Sequence, residues 1–415
     1  MCVLFTPELI RELPKSDLHV HLDGSMREET LIEMAQKRGV KLPAETPEEL
    51  RKTVFKARYR SLEEYLRGFA YTCAVLQDSD ALERTAYELC VDCQEEGVRY
   101  VEIRFAPQLH TGEDRTILTV LSAVARGIER AERAFNSRPG VASGSEPPFH
   151  AGIIVCALRF FTPESSHTYA QMFRAFADLP ERELFGLASK ALVRASIRAR
   201  DEYGLPVVGV DLAGQEHGYP AKDHVRAYQL AQEAFLGKTV HAGEDYGPES
   251  IFQAITECHA DRIGHGTWLF NVDQIRDLRI VDRQAYVRRL VQYIADRRIT
   301  VEVCLTSNLQ TIPALRSLQD HPFKKMREAR LSATFCTDNR LVSRTTVSRE
   351  VELAVRAFNL GVKDLGDLLI YGFKRAFFPG PYLEKRAYVR QVIDYHDKVF
   401  ARHGVEVNPN RNPAP

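Results

Sequence analysis

The chain has 415 residues, 44% of them apolar, which is enough to bury a large core. Its 56 lysine and arginine residues balance 56 aspartate and glutamate residues, so the net charge is 0 with histidine neutral. A chain without a basic surplus is a poor candidate for binding nucleic acid or acidic membranes, and no uncharged apolar run approaches the roughly 18 residues of a membrane span.

The start of the chain and its cysteines indicate a reducing compartment. The first residues, MCVLFTPELIREL, lack the basic start and the long apolar run of a secretory signal. The eight cysteines are scattered and too few for a disulfide scaffold, so we expect a cytoplasmic protein. Cys90 and Cys93 are close together in a helical stretch, and we expect both to pack in the core rather than bind a metal.

Apolar, β-branched runs alternate with longer segments of helical periodicity along the chain. Eight such runs are strand candidates: 17–22, 98–105, 151–158, 206–212, 238–242, 262–265, 300–305 and 332–337. This alternation predicts an α/β protein with a parallel sheet, most simply a single (β/α)8 TIM barrel with extra helices that occupies residues 1–415 as one domain. An open, doubly wound sheet is the alternative.

Local signals predict two helices early in the chain. Four apolar residues within 60–69 are spaced as one face of a single helix: Leu62, Tyr65, Leu66 and Phe69. Asp80 followed by Glu83 has the form of a capping box, which predicts a helix from there to about Glu96, ended by Gly97.

Two segments are predicted to be peripheral. Residues 136–148 are rich in glycine, proline and serine, and we expect a flexible surface insertion. Residues 408–415, NPNRNPAP, are expected to be a disordered tail.

A pair of histidines closes the first predicted strand. In a barrel, the C-terminal strand ends surround the active site. His19 and His21 are two residues apart, so their side chains point to the same side of the strand and can bind one metal ion. Such a pair alone also occurs as surface or buried histidines without a metal.

Further polar residues follow the later strands. His241 ends the fifth strand and Glu244 follows three positions on, as a metal ligand beside a carboxyl acid would. His265 lies between two glycines, Asp338 closes the last strand, and Gly214 offers a bare backbone N–H. Each of these alone also fits an ordinary strand end or turn. Together with His19 and His21 they supply four potential metal ligands, an acid and an extra histidine. Three imidazoles and one carboxylate suit Zn²⁺, with a position open for water.

The ordered motifs HVHLDGS, DLAGQE, TVHAGED, RIGHGT and CTDN resemble the adenosine deaminase family of the amidohydrolase superfamily. VEIRFAPQLHT and VEVCLTSNLQT are similar to it as well, and the resemblance covers about residues 14–378. It implies a (β/α)8 barrel holding one Zn²⁺ per chain. The ligands that it implies are His19, His21, His241 and Asp338.

The resemblance also implies roles for other residues. Glu244 would protonate the purine ring at N1, and His265 would hold the attacking water and help to deprotonate it. Gly214 would donate its N–H to purine N3, Asp23 would bind the ribose 5′-hydroxyl, and His21 would also contact the substrate. The apolar face that carries Tyr65 resembles a helix that covers the nucleoside, although plain core packing explains it equally.

The sequence departs from the family pattern at two positions. Asn339 stands where relatives carry a second aspartate that contacts purine N7, and an amide can donate a hydrogen bond there without first being protonated. Leu305 replaces the proline expected before Thr-Ser-Asn. We expect activity to survive the first change, although it bears on the preference among purines.

The implied reaction is zinc-dependent hydrolytic deamination of adenosine or 2′-deoxyadenosine to inosine or 2′-deoxyinosine plus ammonia, with the purine nucleoside and water as partners. Two alternatives stay open. One is deamination of another 6-aminopurine compound, such as adenine, a modified adenine nucleoside or an aminofutalosine-type intermediate. The other is a catalytically silent nucleoside-binding barrel. Binding to nucleic acid or membrane is not expected, and the sequence does not predict an oligomeric state.

Overall fold

A computed structural model describes residues 5–406, in which each predicted strand is found with bounds that differ by at most two residues. The strands are β1 (Lys15–His21), β2 (Val98–Phe105), β3 (His150–Leu158), β4 (Val207–Ala213), β5 (Gly237–Ala242), β6 (Arg262–His265), β7 (Thr300–Val303) and β8 (Ser332–Phe335).

The eight strands form a closed parallel barrel. Each strand from β1 to β8 pairs in parallel with the next one along the chain. A parallel bridge between Val20 and Asp338 joins the last strand to the first, where the N–H of His21 donates to the carbonyl of Asp338 at 2.7 Å. The (β/α)8 barrel is therefore confirmed, and the open sheet is wrong.

Helices surround the barrel. The described residues form α1 (Pro7–Glu12), α2 (Glu28–Arg38), α3 (Pro47–Thr53), α4 (Leu62–Leu66), α5 (Phe69–Val75), α6 (Ser79–Glu95), α7 (Ile117–Asn136), α8 (Pro139–Ala142), α9 (His167–Ala175), α10 (Glu181–Asp201), α11 (Val225–Glu233), α12 (Pro248–Thr256), α13 (Arg283–Arg297), α14 (Leu305–Thr311), α15 (Phe323–Glu328), α16 (Val347–Phe358), α17 (Val362–Arg375) and α18 (Tyr382–Arg402). Within this part of the chain, no helix is both long and apolar enough to cross a bilayer.

The prediction of a single helix over 60–69 is wrong. The segment divides into α4 and α5, because the backbone around Gly68 tightens into hydrogen bonds between residues three apart. Tyr65 is buried all the same, and Leu62 and Phe69 pack against the core. The apolar face was therefore predicted correctly, but the continuity of the helix was not.

The start of α6 also differs from the prediction. Its N-terminal cap is Asp78, whose carboxylate accepts from the N–H of Ala81 at 2.8 Å, so the capping box at Asp80 is wrong. The helix ends at Glu95, before Gly97 with φ +88°. The cysteines of this helix, at positions 90 and 93, are fully buried in the core, as predicted.

The insertion at 136–148 lies on the surface and contains α8. The side chain of Asn136 bonds to both backbone groups of Phe149, and the carbonyl of Glu146 accepts from Gln391 of α18 at 3.2 Å. Its flexibility stays a prediction. The predicted disordered tail, 408–415, lies outside the described residues.

An aromatic side chain covers the N-terminal end of the barrel. The guanidinium carbon of Arg262, at the start of β6, lies 3.6 Å from the centroid of the Phe377 ring. The backbone N–H of Phe377 donates to Glu102 of β2. A Cβ added at Gly237, at the start of β5, would lie 2.4 Å from this ring, so glycine leaves the space that it fills. The opposite end of the barrel holds the polar residues.

Candidate active site

Four histidines and an aspartate converge at the C-terminal ends of β1, β5, β6 and β8. The ligating atoms of His19, His241, His265 and Asp338 all lie within 4.8 Å of one another, and all four side chains are buried. Nε2 of His21 lies 3.2 Å from Nε2 of His241 and 3.4 Å from Oδ1 of Asp338. The structure thus brings together the four predicted metal ligands and His265.

Two of the ligands are held by carboxylates behind them. Nδ1 of His19 donates to Glu302 at 2.8 Å, and Nδ1 of His241 donates to Asp211 at 2.9 Å. Because each Nδ1 carries the hydrogen, each Nε2 presents a lone pair to the centre. Nε2 of His19 indeed has no hydrogen-bond partner among residues 5–406. Lone pairs from buried imidazoles beside a carboxylate are what a zinc ion requires, and the donor set fits one.

These carboxylates belong to an ion network inside the barrel. Arg104 donates to Asp211 and to Glu302 at 3.0 Å each, and Arg262 also pairs with Glu302. Burial alone would raise the pKa of Glu302, but the two arginines hold it well below its usual range. None of these residues was predicted to be part of the site. The sequence does carry one signal for them, which is the presence of charged side chains inside otherwise apolar strands.

A chain of hydrogen bonds sets the tautomer of His265. The backbone N–H of Phe323 donates to Nδ1 of His321, whose Nε2 then donates to Oδ1 of Asn308. The amide of Asn308 in turn donates to Nδ1 of His265 at 3.0 Å. Burial lowers the pKa of His265 well below its ordinary value, so its ring is neutral and carries its hydrogen on Nε2, which lies 3.5 Å from Glu244.

Two non-glycine residues of the site have left-handed backbones, His265 with φ +66° and Asp338 with φ +60°. Such conformations cost free energy and persist where the surroundings impose them. At Gly264 a Cβ would lie 3.0 Å from Cε1 of His19, so glycine allows the two strands to approach.

A buried carboxylate holds the turn that carries Glu244. Glu216, in the loop after β4, accepts hydrogen bonds from four consecutive backbone N–H groups, those of residues 243–246, at 2.8–3.1 Å. It also accepts from the hydroxyl of Ser250. Glu216 therefore fixes where the Glu244 side chain starts, a role that the sequence analysis missed.

Glu244 itself is buried, and its environment favours the protonated acid. Burial raises the pKa of Glu244 well above its ordinary value, and the negative charges of Asp338 and Glu216 raise it further. Its Oε1 lies 3.4 Å from the hydroxyl of Thr311. At neutral pH this group can donate a proton to a molecule bound beside the histidines.

Asn339 contacts helix α4. Its Nδ2 donates to the hydroxyl of Tyr65 at 2.8 Å, and that hydroxyl also contacts Ser343 at 2.9 Å. Its Oδ1 is buried and, within the described part of the chain, has no partner. A Cβ at Gly24 would lie 1.8 Å from this oxygen, so glycine at that position leaves room for the amide.

The other two predicted substrate contacts lie at the same end of the barrel. Asp23 follows β1 and is buried, with one carboxylate oxygen unpaired among residues 5–406, and burial raises its pKa to about 7. Gly214 follows β4 and has a φ of +91°. A Cβ added at Gly214 would have one neighbour within 4 Å, the backbone nitrogen of Arg159 at 3.8 Å.

Two cavities of different size lie on the described part of the protein. A cavity of about 200 Å³ reaches Glu244 and is also lined by Leu62, Trp268, Arg276, Thr311 and Ile312. A larger groove of about 790 Å³ is lined by paired charges, such as Arg27 with Asp92 and Arg340 with Glu96. None of the five converging residues lines that groove, so the smaller cavity is the candidate entrance.

Comparisons with known proteins agree with this geometry. The family model described as Adenosine deaminase matches residues 14–188 and 182–395. An adenosine deaminase of Mycobacterium avium is 38% identical over 93% of this chain and 96% of its own length. Adenosine deaminase 1 of Streptomyces coelicolor is 36% identical over 94% and 88%. The crystal structure of an Arabidopsis N6-mAMP deaminase superposes with a TM-score of 0.71 at 25% identity, over 93% of this chain and 99% of that one.

Proposed function

Because the chain belongs to the adenosine deaminase family, we propose that it deaminates adenosine and 2′-deoxyadenosine hydrolytically, with zinc, to give inosine or 2′-deoxyinosine plus ammonia. The observation that carries this proposal is a buried Glu244, whose pKa burial raises well above its ordinary value, beside a group of histidines and an aspartate that fits one metal ion. An acid for the ring and a site for a Lewis acid are the two requirements of the reaction.

The metal would be one Zn²⁺ per chain, held by His19, His21, His241 and Asp338. The carboxylates behind two of these histidines support this assignment, since they aim the imidazole lone pairs at the centre. When bound, zinc would supply a Lewis acid that makes water a stronger nucleophile at neutral pH.

The residues of the chain then have separate tasks. Glu244 donates its proton to purine N1, which weakens the aromatic system and makes C6 electrophilic toward the oxygen of water. The Nε2–H of His265 donates a hydrogen bond to that oxygen and holds it at C6. Once C6 is tetrahedral, one proton of the added water passes to the amino nitrogen, the C6–N bond breaks and ammonia leaves. The other water proton returns to Glu244, and the ring keeps its N1 proton and becomes the 6-oxo purine.

Three further residues would orient the nucleoside. The backbone N–H of Gly214 donates to purine N3, and the amide of Asn339 lies at purine N7. Asp23 accepts a hydrogen bond from the ribose 5′-hydroxyl. In its ionised form Asp23 would repel a 5′-phosphate at the same place, because both groups are anions.

A second candidate is deamination of a 6-aminopurine nucleotide or base. It is favoured by the Arabidopsis structure of the same fold, which is an N6-mAMP deaminase. The catalytically silent barrel has less support, because no predicted ligand or acid is missing from this chain.

A substrate panel tests the proposal. The purified protein is assayed for ammonia release and for the change in ultraviolet absorption with adenosine, 2′-deoxyadenosine, adenine, AMP and N6-methyl-AMP. We expect the two nucleosides to have the highest kcat/KM. Higher kcat/KM with adenine or a nucleotide would favour the second candidate, and no turnover of any compound would favour the silent barrel.

A further inference from the structure

A second group of potential metal ligands is separate from the four residues assigned to the proposed zinc ion. The ligating atoms of Asp23, Cys73 and His110 lie within 4.8 Å of one another. They come from three elements: the loop after β1, helix α5, and a short 3₁₀ turn, Pro107–His110, after β2. The fold therefore brings a carboxylate, a thiol and an imidazole together from distant parts of the chain.

The hydrogen bond behind His110 leaves one ring nitrogen free to bind a metal. Nδ1 of His110 donates to the carbonyl of Leu76 at 3.1 Å, so Nε2 carries a lone pair. Metal-bound histidines commonly have such a partner, because it fixes the tautomer and the orientation of the imidazole. His110 is fully buried, and its Nε2 has no hydrogen-bond partner among residues 5–406.

Asp23 supplies a second buried atom without a partner. The residue is 4% exposed, and its Oδ1 accepts no hydrogen bond from the part of the chain that the structure describes. This oxygen and Nε2 of His110 are both acceptors, so neither satisfies the other, and leaving both buried and unpaired costs free energy. A cation would satisfy the two at once. A bridging water molecule is the alternative occupant.

Cys73 determines which cation the group prefers. Of the seven cysteines in the described residues, six are buried and Cys73 is partly exposed, so it is the one most open to an ion from solvent. A thiolate and an imidazole suit Zn²⁺ and Co²⁺, whereas Ca²⁺ and Mg²⁺ take oxygen ligands. Bonds of about 2.0–2.3 Å at tetrahedral angles separate ligand atoms by about 3.4–3.6 Å. That spacing is compatible with the 4.8 Å limit of this group.

We propose that Asp23, Cys73 and His110 form a second cation site, which takes Zn²⁺ with water as the fourth ligand and inhibits the enzyme when it is filled. Binding deprotonates the thiol, whose proton passes to solvent. The inhibition, unlike the site itself, rests on the proposed function, because an ion held by Asp23 prevents it from accepting from the ribose 5′-hydroxyl. With three protein ligands against four, the second cation site should release its ion on dialysis.

Cobalt spectroscopy tests the second cation site without reference to activity. Co²⁺ is titrated into the zinc-loaded protein, and the thiolate-to-cobalt charge-transfer band in the near ultraviolet is followed. None of the four ligands of the proposed zinc ion carries sulfur, so the band reports only on a cysteine. We expect a band that saturates at about one Co²⁺ per chain and is absent in Cys73→Ser. His110→Leu should need at least about tenfold more Co²⁺ for the same band.

A second cysteine variant provides the matched control. The buried thiol of Cys258 donates to the carbonyl of Ala221 at 3.5 Å, so Cys258→Ser should keep the band. Cys73→Ser replaces one atom of a partly exposed residue, so the test still holds if His110→Leu folds poorly. No band in the wild type, or an equal band in Cys73→Ser, would overturn the second cation site and leave water as the occupant.

Inhibition is measured separately with added Zn²⁺, and each protein is compared with its own rate in the absence of added zinc. In the wild type, Zn²⁺ should raise KM for adenosine and leave kcat unchanged. Cys73→Ser should need at least about tenfold more Zn²⁺ for the same rise. A cobalt band without inhibition would overturn the inhibitory role. A cobalt band in a protein that deaminates no purine would overturn the proposed function and leave the second cation site supported.

Discussion

The side-chain amide of Asn308 donates to Nδ1 of His265 across 3.0 Å, and this one bond decides that the other ring nitrogen presents a hydrogen toward Glu244. A backbone N–H, that of Phe323, fixes the direction of this bond through His321. His265 in its neutral form is thus a hydrogen-bond donor through Nε2, and a base only after its tautomer changes.

Asn308→Asp should reverse this arrangement. A carboxylate accepts from Nδ1, so the ring hydrogen moves there and Nε2 loses it. We expect kcat to fall about 10²-fold, the lower end of the range for an acid–base group, with KM for adenosine within threefold. Nitrogen-15 NMR of labelled histidine reads the tautomer directly. His321→Gln, which still donates to Asn308, is the control and should keep most of the activity. An unchanged His265 tautomer in Asn308→Asp would contradict the assignment.

Metal content separates the ligands from the groups behind them. Elemental analysis should find about one zinc per chain, and His241→Ala should lose both the metal and the activity. Glu302→Gln leaves every ligand in place but weakens the orientation of His19, so its zinc affinity should fall about 10–100-fold. A stable protein that is fully active without metal would refute the zinc proposal.

Glu244→Gln tests the acid. The amide keeps the shape of the side chain and removes the transferable proton, so kcat should fall roughly 10²–10⁴-fold while zinc and substrate binding persist. Thr311→Val, which removes only the hydroxyl 3.4 Å from Glu244, is a milder control with a smaller expected loss. Loss of zinc in the glutamine variant would mean that Glu244 is a metal ligand instead.

The strands and the converging residues could be predicted because both depend on local patterns. Apolar β-branched runs mark strands of a parallel barrel, and His or Asp directly after such runs must meet at one end of it. The break between α4 and α5 could not be read from periodicity, because a tightening of the backbone around Gly68 leaves the apolar face intact. The cap at Asp78 was missed because Asp80 offers the same residue type two positions later.

The groups that orient the site were beyond single-sequence reasoning for a different reason. Glu302, Glu216 and Asn308 act through partners tens to hundreds of residues away, such as His19 at a separation of 283 residues. Only the three-dimensional arrangement shows which strand end each one faces. A carboxylate inside a strand indicates burial with a partner, but it does not identify the partner.

Gly24→Ala should disturb Asn339 and spare the metal. The added Cβ would lie 1.8 Å from Oδ1 of Asn339, so the amide must move and its bond to Tyr65 is lost. We expect KM for adenosine to rise about tenfold with zinc content unchanged. Gly361→Ala is the matched control, since its Cβ would meet only an oxygen of Asp364 at 3.9 Å. A normal KM in Gly24→Ala would remove Asn339 from the substrate contacts.

Glu350 should make stability depend on pH. It is buried on α16, where it accepts from the N–H of Thr306 and the hydroxyl of Thr345, and burial raises its pKa from 4.5 to about 7. The folded state therefore holds the proton more tightly than the unfolded state does. This contribution is fully present below pH 4.5 and is lost as the pH rises through 7.

Glu350→Gln should remove the loss of stability that the wild-type protein shows as the pH rises through 7. Relative to wild type, the variant should gain about 1–3 kcal/mol in free energy of unfolding between pH 4.5 and pH 8, measured by urea denaturation. Glu352→Gln, on the same helix, should keep the wild-type slope. Parallel stability curves for wild type and Glu350→Gln would show that Glu350 does not titrate in this range.

The ring of Phe377 packs against Arg262 and Gly237 and closes the N-terminal end of the barrel. Because an aromatic side chain occupies the far end, the cavity beside Leu62 is the candidate route both into and out of the site. The substrate, the water molecule and both products would therefore use the same opening. Product release past the short helices on either side of Gly68 is then a step that can limit turnover independently of the chemistry.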